Sequence, residues 1–235
     1  MSKGFTFKQF TVCHDRCAMK VGTDGVLLGA WARGGRRMLD IGSGTGLIAL
    51  MLAQRFDGAR IDGVEVDGEA VAQSRENVAA SPFADRIAIH ETDFRHFQPQ
   101  APYDAIVSNP PFFLNGLKNP DEGRSTARHS DPLFFKSFFR FSKQWLADSG
   151  EVSLIIPSEH YEDIATEAYL LGFLLSRRVW VRSSPRKPVG RCLLAFAKRR
   201  MGMPEEQEVC LMETGGRQSD WYREKVFQFI ILCNS

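Results

Sequence analysis

From residue 38 onward, short apolar runs alternate with helical stretches, and the first junction between them is a glycine turn. Met38-Leu39-Asp40-Ile41 runs straight into Gly42-Ser43-Gly44-Thr45-Gly46. Parallel strands need a crossover between them, so this alternation predicts a parallel sheet wound with helices. Further strands are expected over 60–65, 87–90, 103–107, 152–156, 174–181 and 192–197, making seven with the first. Helices are expected over 47–54, 69–79 and 159–171. Phe134, Phe138, Phe141 and Trp145 recur at helical spacing and predict a long amphipathic helix that stops at Asp148-Ser149-Gly150. Tyr222, Val226, Phe229 and Ile230 predict a closing helix, and a short helix is expected near Asp24–Trp31. The reading is one α/β domain over 1–235, with an N-terminal appendage (1–36), a core (37–200) and a C-terminal strand/helix extension (201–235).

A chain of 235 residues is ample for one buried core. With 43% hydrophobic and 25% charged residues it is neither disordered nor fibrous. No apolar run approaches the roughly 18 residues needed to span a bilayer, and the start lacks a secretory apolar region, so a soluble cytoplasmic protein with no membrane contact is expected. A net charge of +2 excludes a histone-like binder; any nucleic acid must meet a local basic patch. Five cysteines in this context predict free thiols. Cys13-His14-Asp15-Arg16-Cys17 looks faintly like half of a zinc site but has no matching second pair, so no metal is expected.

Glycines at the turn allow a tight bend and close approach of a ligand to the main chain. The spacing is G-x-G-x-G rather than the dinucleotide fingerprint, and Asp40 would repel a pyrophosphate but could attract an ammonium group. Glu65 ends the second strand about 20 residues on, where a carboxylate can take both hydroxyls of a ribose; a solvated strand-end acid is the plainer alternative. Asp93 ends the third strand, placed to face an adenine amino group while Phe94 covers the ring. After the fourth strand comes Ser108-Asn109-Pro110-Pro111-Phe112. Pro-Pro fixes two φ angles and removes two amide donors, leaving carbonyls free to accept. Asn109 adds a side-chain acceptor and Phe112 a flat apolar face, a cradle for a planar amino group; alternatively the segment is a rigid strand exit with a buried Phe.

These motifs in this order resemble the Rossmann-like class I S-adenosylmethionine-dependent methyltransferases whose Asn-Pro-Pro-aromatic motif methylates planar amines. More narrowly, Gly4-Phe5-Thr6-Phe7-Lys8-Gln9-Phe10, His14 to Asp24 and Leu27-Leu28-Gly29-Ala30-Trp31 resemble the bacterial tRNA adenine-N6 methyltransferases that act at adenosine 37, beside the anticodon of a valine tRNA. The resemblance runs from residue 4 to about 115 and is weaker beyond. It implies a mostly parallel seven-stranded sheet with helices on both faces, and S-adenosylmethionine as cofactor with S-adenosylhomocysteine as product. It implies a cofactor pocket lined by Lys20, Thr23, Asp24, Asp40, Gly42, Ser43, Gly44, Glu65, Val66, Asp93, Phe94 and Asn109, with Asn109, Pro110 and Phe112 at the reacting amine. The usual Tyr of that motif is Phe112 here, which keeps the stacking face and loses a hydroxyl. Thr23-Asp24 also reads as a helix N-cap.

Arg124, Arg128 and His129, and a second cluster of Arg186, Lys187 and Arg191, are candidate contacts to RNA phosphate or merely solvated loops. The expected activity is N6-methylation of a tRNA adenosine by a monomer. The same cradle fits a protein glutamine amide or adenine in another nucleic acid, and the N-terminal resemblance favours tRNA. A non-catalytic RNA-binding module would not need Asp40, Glu65 and Asp93; a nicotinamide oxidoreductase would need other glycine spacing.

Overall fold

The computed structural model describes residues 4–17, 19–110, 132–200 and 202–230. In chain order the elements begin with a short antiparallel pair, β1 (Gly4–Thr6) and β2 (Thr11–Cys13), and helix α1 (Thr23–Trp31). The winding follows: β3 (Arg37–Ile41), α2 (Leu47–Arg55), β4 (Arg60–Glu65), α3 (Gly68–Ala79), β5 (Ile87–Glu91) and β6 (Tyr103–Ser108). Then come α4 (Pro132–Trp145), β7 (Leu146–Pro157), a 3-10 turn (Ser158–His160), α5 (Tyr161–Leu170), β8 (Leu174–Arg182), β9 (Val189–Ala197), β10 (Glu205–Cys210) and α6 (Asp220–Val226). Among the described residues no helix is long and apolar enough to cross a membrane.

The main sheet has the order β10-β8-β9-β7-β6-β3-β4-β5, and only β9 runs antiparallel to its neighbours. Side chains alternate across it, as the pleat requires. Met38, Ile155, Leu193 and Ala195 face a core shared with α1, α2 and the β1–β2 segment, whereas Leu39, Ile41, Leu154, Ile156, Leu194 and Phe196 face α4 and α5. Helices therefore cover both faces. Phe7, Phe10 and Val12 are buried in the first core, so the N-terminal segment is packed into the body.

Among the described residues the sheet has eight strands rather than seven. The additional strand, β10, is Glu205-Glu206-Gln207-Glu208-Val209-Cys210, whose polar sequence carries no apolar alternation. It lies at an edge, where charged residues are usual, paired in parallel along its whole length with β8; ion pairs accompany the ladder, Arg178–Glu206 (2.6 Å) and Arg182–Glu208 (2.5 Å) across the strands and Arg33 of the α1–β3 connection with Glu205 (3.0 Å). A second difference lies at Asp148-Ser149-Gly150, expected as a helix stop. The helix ends at Trp145 and these residues lie inside β7, where the pairing with β6 slips between Tyr103 and Ala105. A Cβ at Gly150 would sit 2.9 Å from the Asp104 carbonyl oxygen, so the irregularity is built around a residue without one. Along α4 the buried stripe includes Phe135 and Phe139 beside Phe138 and Phe141. The last helix stops at Val226, and Phe229 is buried beyond it, its carbonyl accepting from the Lys8 amide at 2.7 Å.

Candidate active site

A cavity of about 840 Å³ opens at the carboxyl ends of β3, β4, β5 and β6. β3 lies between β4 and β6, the point where the winding reverses direction and where open α/β sheets bind ligands. Of the sequence-predicted cofactor residues, Lys20, Thr23, Asp24, Gly42, Ser43, Gly44, Glu65, Val66, Asp93, Phe94 and Asn109 all line it.

The floor is the turn after β3. Gly42, Gly44 and Gly46 all have positive φ (72°, 51° and 78°), a region other residues rarely enter. At Gly46 space adds a second constraint: a Cβ would lie 2.6 Å from the Ser74 hydroxyl of α3. The Gly42 and Ser43 amides donate to the Val64 carbonyl (2.9 and 3.1 Å), stitching the turn to β4. One Glu65 oxygen accepts from the Gly44 amide (2.9 Å), the other from the Val66 (2.8 Å) and Asp67 (3.0 Å) amides. These donors fix the carboxylate at the cavity wall. Val66, two-thirds exposed, presents an apolar surface beside it.

Asp93 is gripped by Arg95, whose amide and Nε each donate at 2.9 Å. Those bonds hold its carboxyl below the usual range and keep it an anionic acceptor. Phe94 is buried edge-on against Phe134 and Phe141 of α4. At the end of β6, the Ser108 hydroxyl donates to the Ile41 carbonyl (2.8 Å), which ties the start of the Asn-Pro-Pro segment to the end of β3. Asn109 is half-buried in the cavity wall and Pro110 is buried. Phe112, Arg124, Arg128 and His129 lie outside the described residues.

Three expectations need correction. Asp40 is fully buried behind the turn and does not line the cavity, so its carboxylate is not placed to meet a ligand's ammonium. Neither of its oxygens makes a full hydrogen bond among the described residues. Burial raises its pKa from 3.8 to about 7; the Glu65 charge adds to the rise and the Ala49 amide at the start of α2 opposes it. The folded chain therefore retains a proton that the unfolded chain releases between about pH 4 and pH 7, and this group costs stability as pH rises through that window. Asp40→Asn is expected to remove the loss: urea midpoints at pH 8 should exceed wild type, with little difference near pH 4. Equal midpoints at both pH values would contradict the buried-acid assignment.

Second, Gly22 rather than Thr23 or Asp24 occupies the N-cap position of α1, with no side-chain cap. Third, Arg191 is not part of the exposed basic cluster. It lines the cavity and its Nε donates to Asp24 Oδ2 at 2.8 Å, whereas Arg186 and Lys187 are exposed in the β8–β9 loop. That pairing joins residues 167 apart in sequence, so no local pattern announces it.

Other contributors were not singled out from the sequence. Asn77 of α3 exchanges hydrogen bonds with both main-chain groups of Cys13 and donates to the Thr45 carbonyl, all at 2.9 Å, while Gln73 accepts from the Arg16 amide. The N-terminal segment and the glycine turn are thus pinned to one helix. The Cys17 thiol at the cavity wall is pushed up to about 11 by burial, then by Asp67 and Glu65, so it is no thiolate nucleophile. Among the described residues no group of three or more His, Cys, Asp and Glu could hold a metal.

The fold is that of known methyltransferases. A crystal structure of a predicted O-methyltransferase from Agrobacterium tumefaciens superposes with a TM-score of 0.66 at 18% identity, covering 91% of this chain and all of that one. A glycopeptide N-methyltransferase solved with S-adenosylmethionine gives 0.56 at 12% identity, covering 75% of this chain and 95% of that one. Residues 20–169 match the model of the methyltransferase small domain. A tRNA1(Val) (adenine(37)-N6)-methyltransferase of Phocaeicola vulgatus is 50% identical over 194 residues, 82% of each chain. One from Aeromonas hydrophila is 44% identical over 235 residues, 98% of each. With identity of this size over nearly the full length, the chain belongs to the family of the tRNA1(Val) (adenine(37)-N6)-methyltransferases.

Proposed function

We propose that this protein transfers a methyl group from S-adenosylmethionine to the exocyclic nitrogen of adenosine 37 in a valine tRNA. The observation that carries the reading is the presence, in one cavity, of the glycine turn, Glu65, Asp93 and the Asn109 side chain. The residues fit the cofactor. Glycines with positive φ leave main-chain surface bare at the floor, Glu65 stands where ribose hydroxyls can donate to it, and Asp93, Val66 and Phe94 offer an acceptor and apolar cover for adenine. When bound, the cofactor supplies an electrophilic methyl group.

The chain's own task is to present the amine. The lone pair of an adenine amino group is delocalised into its ring, so the nitrogen is a poor nucleophile. Asn109 Oδ1 and the Pro110 carbonyl accept its two N–H groups, and these bonds strengthen as the nitrogen becomes tetrahedral. Alignment supplies much of the remainder; such effects reach about 7–11 kcal/mol in favourable cases. The product ammonium is acidic enough to release its proton to water, so no strong base is needed. Phe112 stacks on the base, as the sequence motif implies. A loop nucleotide reaches the cavity at the cost of unstacking alone, a few kcal/mol at most.

Arg124, Arg128 and His129, with Arg186 and Lys187, are the proposed RNA contacts, and the monomer in the cytoplasm is the proposed working form. Charge reversal at Arg186 and Lys187 is expected to weaken tRNA binding and flatten its salt dependence by about one unit of slope per lost phosphate contact, leaving cofactor affinity unchanged. An unaltered slope would place the RNA elsewhere. Glu65→Ala is expected to weaken S-adenosylmethionine binding by about 2–3 kcal/mol, the scale of hydrogen bonds to a charged group, while NADH shows no saturable binding to either form. Calorimetry giving an unchanged constant for the variant would defeat the cofactor site. The reaction itself is tested by incubating the purified protein with methyl-labelled cofactor and total tRNA. Label recovered as N6-methyladenosine supports the proposal, and label absent from adenine refutes it.

A further inference from the structure

We infer that Arg191, paired with Asp24, recognises the amino-acid end of the cofactor rather than RNA phosphate. This rests on the proposal that the cavity binds S-adenosylmethionine. Along the strand ends the order of sites is Asp93 after β5, Glu65 at the end of β4, the glycine turn after β3, Asn109 after β6, and Arg191 in β9 beyond β7. An adenosine held at Asp93 and Glu65 directs the rest of the molecule past the glycine turn, toward the side where Asn109 and Arg191 stand.

Two charges of opposite sign meet on that side. Arg191 Nε donates to Asp24 Oδ2 at 2.8 Å and its Nη1 to the Gly190 carbonyl at 2.9 Å. Both side chains are about one-third exposed (36% and 35%) and both line the cavity. A guanidinium carries five donors in a fixed fork, so Nη2 has donors beyond these two bonds, suited to a carboxylate. An α-amino acid presents a carboxylate and an ammonium together, the complement of a guanidinium beside a carboxylate. Asp40, the acid first expected to meet the ammonium, is closed off behind the glycine turn. Among the described residues, Asp24 is the carboxylate that faces the cavity on this side. A phosphate approaching Arg191 would instead meet the Asp24 charge beside it.

The test is calorimetric and independent of turnover. Wild type, Arg191→Gln and Arg191→Lys are titrated with S-adenosylhomocysteine and with methylthioadenosine, which keeps the adenosine and sulfur but lacks the amino-acid end; tRNA binding is measured in parallel. Arg191→Gln should weaken S-adenosylhomocysteine about 10- to 100-fold and methylthioadenosine by no more than about twofold, with Arg191→Lys between wild type and Arg191→Gln. Retained methylthioadenosine affinity also reports that the variant is folded. Equal losses on both ligands, or unchanged S-adenosylhomocysteine affinity whether or not tRNA binding weakens, would overturn the inference. Wild type that fails to bind S-adenosylhomocysteine would instead overturn the cofactor reading itself.

Discussion

Asn109→Ala is expected to lower kcat for tRNA methylation by about 10²–10³, the range for removing one preorganised polar group, with little change in KM for tRNA. The split follows from when the bond matters. In the ground state the adenine amine is planar and a weak donor partner; in the transition state its N–H groups carry more positive charge and Asn109 Oδ1 gains most. The residue stands at a strand end anchored by the Ser108–Ile41 hydrogen bond and next to buried Pro110. Single-turnover rates at saturating tRNA measure the effect directly. A raised KM with unchanged kcat would make Asn109 a docking residue only.

The second large effect is on stability. Glu151 in β7 and Arg177 in β8 form an ion pair with both side chains less than a tenth exposed. Arg177 Nε donates to Glu151 Oε2 at 3.2 Å, the Ser176 hydroxyl donates to the same oxygen at 3.0 Å, and the guanidinium lies 3.9 Å from the centre of the Trp31 ring. Arg55, close by, has its pKa brought down to about 10 by burial and by the Arg177 charge. Glu151→Ala leaves a buried guanidinium without its counter-charge and is expected to cost about 3–5 kcal/mol. Replacing both partners with methionine should recover most of that, because neither charge then remains buried. Urea unfolding of the three proteins is the measurement. A loss below about 1 kcal/mol for Glu151→Ala would show that water already reaches the pair. The network also holds the end of α1 through Trp31, the helix whose first turn carries Asp24 to the cavity.

How far the sequence spoke depended on whether the deciding interaction was local. The winding from β3 to β6 was legible because each strand is a short apolar run and each junction has turn chemistry of its own. The glycine turn, Glu65, Asp93 and Asn109 were legible for the same reason: each sits at a strand end, and parallel topology gathers those ends at one edge. β10 was legible only as a strand without bounds after residue 200, since its glutamates pair with arginines on β8 and beside α1 that no periodicity connects to them. Arg191 read as one of a basic cluster with Arg186 and Lys187, yet β9 directs it inward to Asp24. The β8–β9 loop leaves the other two in solvent. Asp40 occupied the expected place in its motif, but the pleat turned it away from the cavity into the interior, where burial governs its proton.

On this mechanism the cavity brings the cofactor's methyl group to an exocyclic adenine amine presented by Asn109 and Pro110. The most direct test is single-turnover transfer from labelled S-adenosylmethionine to two anticodon stem-loops that differ only at position 37, one with adenosine and one with inosine, which has no exocyclic amine. N6-methyladenosine is expected at position 37 of the first loop and background label in the second. Equal methylation of the inosine loop, or label at any atom other than N6 in the adenosine loop, would contradict it.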